Sequence, residues 1–159
     1  MKCAFCDCPA YGYYGNASAD ELAYEVRTVL ETFPNVKRTK RFNLHFARMG
    51  EPSFNPAVLV FTERSLRQVV SMYIEADIIH PVVSSMLPAN NPWLEPFLQE
   101  WCRIKNESYD DHAGLQLSIQ STSQTQRNAQ FNNCSLPLLK IADIRSRSEE
   151  RRVGKECRS

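Results

Sequence analysis

The chain has 159 residues, of which 43% are hydrophobic and 23% are charged, and its net charge is +1. This composition excludes a disordered or fibrous protein, and the length fits one domain or part of a larger one. The near-neutral charge gives no sign of a strongly basic nucleic-acid-binding domain. The strip Lys37, Arg38, Lys40 and Arg41 is predicted to be a solvated loop, with phosphate contact as the alternative. No apolar stretch reaches the roughly 20 residues of a membrane span, and the N-terminus lacks a signal peptide. We therefore expect a cytoplasmic protein without a membrane partner.

Helical and strand patterns alternate along the chain. Ser18 and Glu21 form a capping-box pattern at the start of the first helix, and Asn55 precedes Pro56 at the start of the second. The periodicity predicts helices over 18–33, 55–73, 91–107 and 122–131, and strands over 41–50, 76–88 and 112–121. Trp93, Phe97 and Trp101 recur at helical spacing, which predicts that all three lie in the core.

This alternation predicts an α/β protein with parallel strands and outer helices. In such folds the reactive loops follow the carboxyl ends of the strands. The segments at these positions are CAFCDCP, MGEP, SSMLP and SIQS. His80, near the start of a strand, is predicted to be a structural histidine with its hydrogen bonds satisfied.

Three of the six cysteines lie within the first eight residues. Cys3 and Cys6 form a CxxC pair, and Cys8 follows two residues later. CxxC pairs occur in zinc sites, redox pairs and iron-sulfur loops, because thiolates suit soft metals. A noncatalytic zinc-binding module would need four ligands, with Cys8 and either His45 or His112 completing the set.

The segments CAFC and GEP together resemble the radical S-adenosylmethionine superfamily, whose motif is CxxxCxxC with an aromatic residue before the last cysteine. Phe5 takes the aromatic position. The resemblance implies a partial (βα)6 barrel over 1–144 and a [4Fe-4S] cluster bound by Cys3 and Cys6. It also implies that Gly50, Glu51 and Pro52 bind S-adenosylmethionine, with the Glu51 carboxylate facing the methionyl ammonium.

Four stretches resemble the branch that methylates an adenine carbon in 23S ribosomal RNA: CAFCDCPAYGYYGN, FARMGEPSFN, VVSSMLP and LQLSIQSTSQTQR. This resemblance implies further S-adenosylmethionine contacts at Ser84, Ser118, Ile119 and Gln120. Asn55 and Arg127 match positions without an assigned role. The resemblance also implies an RNA substrate and a reductant such as flavodoxin or ferredoxin, and a small molecule or peptide is the alternative substrate.

The tyrosines 11, 13 and 14 follow the cysteine loop, where aromatic rings either stack on bases or shield a cluster from water. We expect shielding. Gln120 and the SSML segment depart from the branch pattern, and the first motif cysteine would lie four residues before Cys3, ahead of Met1. A methyl-carrying cysteine would follow later barrel strands. Residues 147–159 match, residue for residue, the translation of a common sequencing adapter, so 145–159 is expected to be a non-native or disordered tail.

Overall fold

The computed structural model describes residues 6, 8–48, 50–131 and 137–144. Cys3, Phe5 and the tail 145–159 lie outside the described residues. None of the helices in the described part of the chain is both long and apolar enough to cross a membrane. The described regular structure includes two 3-10 helices, Cys8–Tyr11 and Pro52–Phe54. Its α-helices and strands are α1 Ala19–Thr32, β1 Arg38–Phe46, α2 Ala57–Arg64, α3 Leu66–Ser71, β2 Glu75–Ser85, α4 Leu94–Ser108, β3 Gly114–Leu117 and α5 Gln124–Gln130.

The three strands form an open parallel sheet in the order β1-β2-β3. The register runs from Arg38↔Glu75 to Phe46↔Val83, and Ser85 of β2 lies opposite Leu117 of β3. Because all strands run in one direction, their carboxyl ends meet at one side of the sheet. We call these strand ends and the loops that follow them the carboxyl edge. The predicted α/β class with parallel strands is confirmed, and closure into a (βα)6 barrel stays a prediction.

The core lies between the sheet and its helices. Phe46 at the end of β1 packs edge-to-face against Phe61 of α2 and Trp101 of α4, with ring centroids 6.2 and 6.3 Å apart. The indole nitrogen of Trp101 donates to the carbonyl oxygen of Gly114 at 3.0 Å, so α4 is also tied to β3. Aromatic pairs of this geometry stabilise a core beyond the area they bury. The end of β1 is thus packed against α2 and α4, and α4 is bonded to β3.

The helix starts follow from the capping residues. At α1, Ser18 and Glu21 make both hydrogen bonds of the predicted capping box. At α2, the Asn55 side chain accepts the Ala57 N–H at 3.1 Å. The single helix predicted over 55–73 is wrong, because the chain breaks at Ser65 (φ −121°) into α2 and α3. Leu66, the first residue of α3, is fully buried in the core.

Three further predictions differ from the structure. Trp93 is 69% exposed and precedes α4, whereas Phe97 and Trp101 are buried as predicted. The third strand covers only Gly114–Leu117 instead of 112–121. The first strand starts at Arg38, so part of the basic strip lies in β1 and not in a loop. There Arg38 lies in register with Glu75 and forms ion pairs with Glu75 and Asp77 of β2.

Candidate functional site

Glu51 is the central residue of the carboxyl edge. It follows β1, yet only 8% of it is exposed. Its carboxylate accepts hydrogen bonds from the Ser53 N–H at 3.3 Å and from the Ser53 hydroxyl at 2.7 Å. It also accepts from the Ser85 hydroxyl and the Met86 N–H, both at 2.8 Å. A buried carboxylate is stable only when donors compensate its lost hydration, and these donors do so.

The donors are divided unequally between the two carboxylate oxygens. Oε1 accepts both bonds from Ser53 and the bond from Ser85, whereas Oε2 accepts only from Met86. Each carboxylate oxygen has about two lone-pair sites. Among the described residues, Oε2 therefore keeps the capacity to accept one further donor. This oxygen is the part of Glu51 that could meet a ligand ammonium.

Asn91 extends this network to the start of α4. Its buried amide donates to the Ser53 carbonyl oxygen at 3.1 Å and to the Ser53 hydroxyl at 3.0 Å. Its side-chain oxygen accepts the Trp93 N–H at 3.0 Å. The 3-10 turn Pro52–Phe54 is thereby fixed against both β2 and α4. Pro52 begins this turn, two residues after exposed Gly50, whose φ of 131° favours glycine.

The predicted residues after β2 and β3 also lie at the carboxyl edge. The Ser84 hydroxyl donates to the Gln116 side-chain oxygen at 3.3 Å. The Ser118 N–H donates to the Ser85 carbonyl oxygen at 2.8 Å, which continues the pairing of the two strands past their ends. Ile119 follows directly, and Gln120 is exposed with φ 67°. Glu51, Ser84 and Ser118 are thus linked through Ser85.

The cysteine-bearing N-terminal segment contacts the same edge. The Cys8 thiol donates to the Arg48 carbonyl oxygen at 3.3 Å. Farther along, the Asn16 side chain donates to the Phe54 carbonyl oxygen at 2.8 Å, and the Asn55 side chain donates to the Ala17 carbonyl oxygen at 2.9 Å. These bonds hold the segment beside the loop that carries Glu51. Asn55, whose role was unassigned, therefore joins the two segments and starts α2.

Thiols are the available soft ligands in this region. Cys6 is half-buried with a free thiol, and Cys3 and Phe5 lie outside the described residues. Within the described residues, no group of three or more His, Cys, Asp or Glu side chains is placed to hold a metal ion. The Cys6 thiol is chemically suited to iron in a cluster, since thiolates are the usual ligands of iron-sulfur centres.

Arg127 is buried beneath the carboxyl edge, with 1% of it exposed. Its guanidinium donates to the Met86 carbonyl oxygen at 3.2 Å and to the Leu139 carbonyl oxygen, and it lies 5.9 Å from the Phe131 ring centroid. Burial lowers the pKa of Arg127 below its usual value. Arg127 thus bonds the segment around Leu139 to the residue that follows β2. Pro88 and Leu138 form an isolated antiparallel β-bridge in the same region.

His80 is not fully hydrogen-bonded as predicted, although a hydrogen bond with the His112 backbone acts to raise its pKa. Its Nδ1 is buried and finds no partner in the described part of the chain. Burial is the main cause of the lowered pKa of His80, and the charges of Arg41, His45 and His112 act in the same direction. His80 lies in the middle of β2, near Arg41, His45 and His112 and away from the carboxyl edge.

The sequence patterns missed Ser53, Ser85 and Asn91, which complete the environment of Glu51. One signal was available for Asn91, because an asparagine two residues before an apolar helical pattern often binds the first backbone N–H groups. Comparisons with protein-family models, curated proteins and solved structures gave no match to this chain. Its function must therefore be argued from the motif residues and their placement.

Proposed function

We propose that this chain is part of a radical S-adenosylmethionine enzyme that reductively cleaves S-adenosylmethionine and methylates an adenine carbon of ribosomal RNA. The observation that carries the proposal is the convergence of separate motif segments on one edge. Glu51 of GEP bonds directly to Ser85 and Met86 after β2, Ser118 bonds to Ser85, and Cys8 bonds to Arg48 two residues before Gly50. Residues far apart in the sequence thereby surround one location.

This placement supports specific roles for the chain's own groups. Oε2 of Glu51 is oriented by Met86 and can accept a hydrogen bond from the methionyl ammonium. The Ser84 hydroxyl donates its proton to Gln116 and can accept a hydrogen bond from a hydroxyl group of the same ligand, and the loop after Ser118 lies beside it. Cys3 and Cys6, with a further cysteine, would hold a [4Fe-4S] cluster, which when bound supplies the electron for cleavage.

Iron uptake tests the metal part of the proposal. We expect anaerobic reconstitution with ferrous iron and sulfide to give protein-bound iron and a broad brown absorbance. Cys6→Ser should lower the iron content sharply, because it removes a motif thiolate. Cys102→Ser is the matched control, since Cys102 is also a half-buried free thiol but lies in α4. Tight zinc binding without iron uptake would instead favour the noncatalytic zinc module.

The neighbouring DNA provides a test of the methyltransferase part. The reading frame should encode a cysteine four residues before Cys3, which is two residues before Met1, and a second cysteine near the C-terminus of the complete protein. Absence of the second cysteine would exclude methyl transfer by this route and leave the cleavage of S-adenosylmethionine intact. A small molecule or peptide would then be the expected substrate.

A further inference from the structure

Four large aromatic side chains beside the carboxyl edge are mostly exposed to solvent. Tyr11, Tyr13, Tyr14 and Trp93 are 71%, 79%, 96% and 69% exposed, respectively. We call these four residues the aromatic rim. Exposure of so many rings in one region costs hydration free energy, which marks such a surface as a candidate binding site.

Hydrogen bonds fix the tyrosine part of the rim. The Tyr13 hydroxyl donates to the Asn16 side-chain oxygen at 3.0 Å, and the Asn16 amide donates to the Phe54 carbonyl oxygen at 2.8 Å. Gly12 (φ 80°) lets the chain turn, and the Tyr14 ring lies 3.4–3.5 Å from the position that a Gly12 side chain would occupy. The tyrosines therefore lie on a shaped loop bonded to the turn that follows Glu51.

A second set of hydrogen bonds links Trp93 to the same turn. Its N–H donates to Asn91, whose amide donates to the Ser53 carbonyl oxygen. Ser53 and Phe54 are consecutive residues of the 3-10 turn Pro52–Phe54. The tyrosine segment is thus bonded through Asn16 to the Phe54 carbonyl oxygen, and the Trp93 segment is bonded through Asn91 to the Ser53 carbonyl oxygen. Both ends of the aromatic rim therefore border the proposed site.

The chemistry around the rings indicates the class of ligand. Residues 8–18 contain no charged side chain, and the rings are accompanied by asparagines, serine and alanine. Exposed Arg48 meets this segment through its carbonyl oxygen, which accepts the Cys8 thiol, and exposed Glu95 follows Trp93 in the first turn of α4. Large exposed aliphatic side chains such as Val29, Val60 and Met72 lie in or directly after other helices. Aromatic faces with hydroxyl and amide groups, and a cation on a neighbouring loop, suit unpaired bases of a polyanionic strand.

We propose that the aromatic rim stacks on unpaired bases of the RNA substrate and so presents one nucleotide to the carboxyl edge. This inference rests on the proposed function, and it names the surface that would hold the strand. The rings would supply affinity that does not depend on a bound cluster. Binding to single-stranded RNA can therefore be measured apart from iron uptake.

The experiment uses fluorescence anisotropy with a labelled single-stranded oligoadenylate, which has no internal base pairs. Tyr14→Leu and Trp93→Leu should each weaken binding, by roughly 5- to 150-fold for a fully stacked ring. Tyr14→Phe should bind like the unchanged protein because it keeps the ring. Tyr24→Leu is the matched control, since Tyr24 is 59% exposed but lies on α1.

Several results would overturn the inference. Unchanged affinity in both leucine variants would show that the rings do not bind bases, and equal affinity for duplex RNA would indicate phosphate binding alone. Loss of self-association in the rim variants, without an effect on RNA, would identify a second copy of the chain as the partner. Absence of RNA binding together with Cys6-dependent iron uptake would reject the rim while the radical-enzyme proposal survives with another substrate.

Discussion

The two ends of the sheet use carboxylates in opposite ways. At the carboxyl edge Glu51 is 8% exposed and accepts hydrogen bonds from Ser53, Ser85 and Met86. At the amino end the side chains of Glu75 and Asp77 are 68% and 47% exposed and pair with Arg38 at 3.3 and 3.0 Å. Exposed pairs keep most of their hydration and bind each other weakly, whereas a buried carboxylate depends on its donors. The carboxyl edge is therefore the end with fixed polar geometry.

Removing the buried carboxylate should produce the largest effect. Glu51→Ala leaves the donors of Ser53, Ser85 and Met86 without their acceptor, and we expect the free energy of unfolding to fall by about 3–5 kcal/mol. Urea denaturation monitored by circular dichroism measures this change. Glu75→Ala is the control and should cost less than about 1 kcal/mol. Similar losses in both variants would contradict the contrast between the two ends.

A pH titration should produce a smaller effect that originates between the two ends, at His80. Burial lowers the pKa of His80 below its usual 6.5, so the folded protein binds fewer protons than the unfolded chain. This contribution to stability is complete above about pH 6.5 and is lost as the pH falls toward the folded-state pKa of His80.

The urea midpoint should consequently decrease from pH 7.5 to pH 5.5, and His80→Gln should reduce that decrease. Protonated His80 would also face Arg41, His45 and His112, which adds repulsion in the same direction. His45→Gln, at an exposed position of β1, is the comparison variant. An identical pH dependence in His80→Gln and the unchanged protein would assign the acid sensitivity to other groups.

The smallest effect is expected at the amino end. Arg38→Ala removes the pairs with Glu75 and Asp77, and we expect a loss of about 0–1 kcal/mol that shrinks further at high salt. Thermal unfolding at low and high sodium chloride concentrations measures it. A large loss that does not respond to salt would show that Arg38 supports β1 by packing and not by charge.

Local patterns predicted the start of α1 and the parallel arrangement, because a capping box and strand-helix alternation depend on neighbouring residues. They failed at Trp93, since helical spacing assigns it to the face of Phe97 although α4 begins one residue later. They also missed Ser85 as a partner of Glu51. The two residues are 34 positions apart, and only the register of β1 and β2 brings them together.

The turn Pro52–Phe54 has a mechanical consequence. Asn91 binds the carbonyl oxygen of Ser53, and Asn16 binds that of Phe54, so the arms leading to α4 and to α1 are fastened to neighbouring peptide units. Ser53 of this turn and Ser85 of β2 both donate to Glu51, so the two arms are anchored to β2 through one three-residue segment.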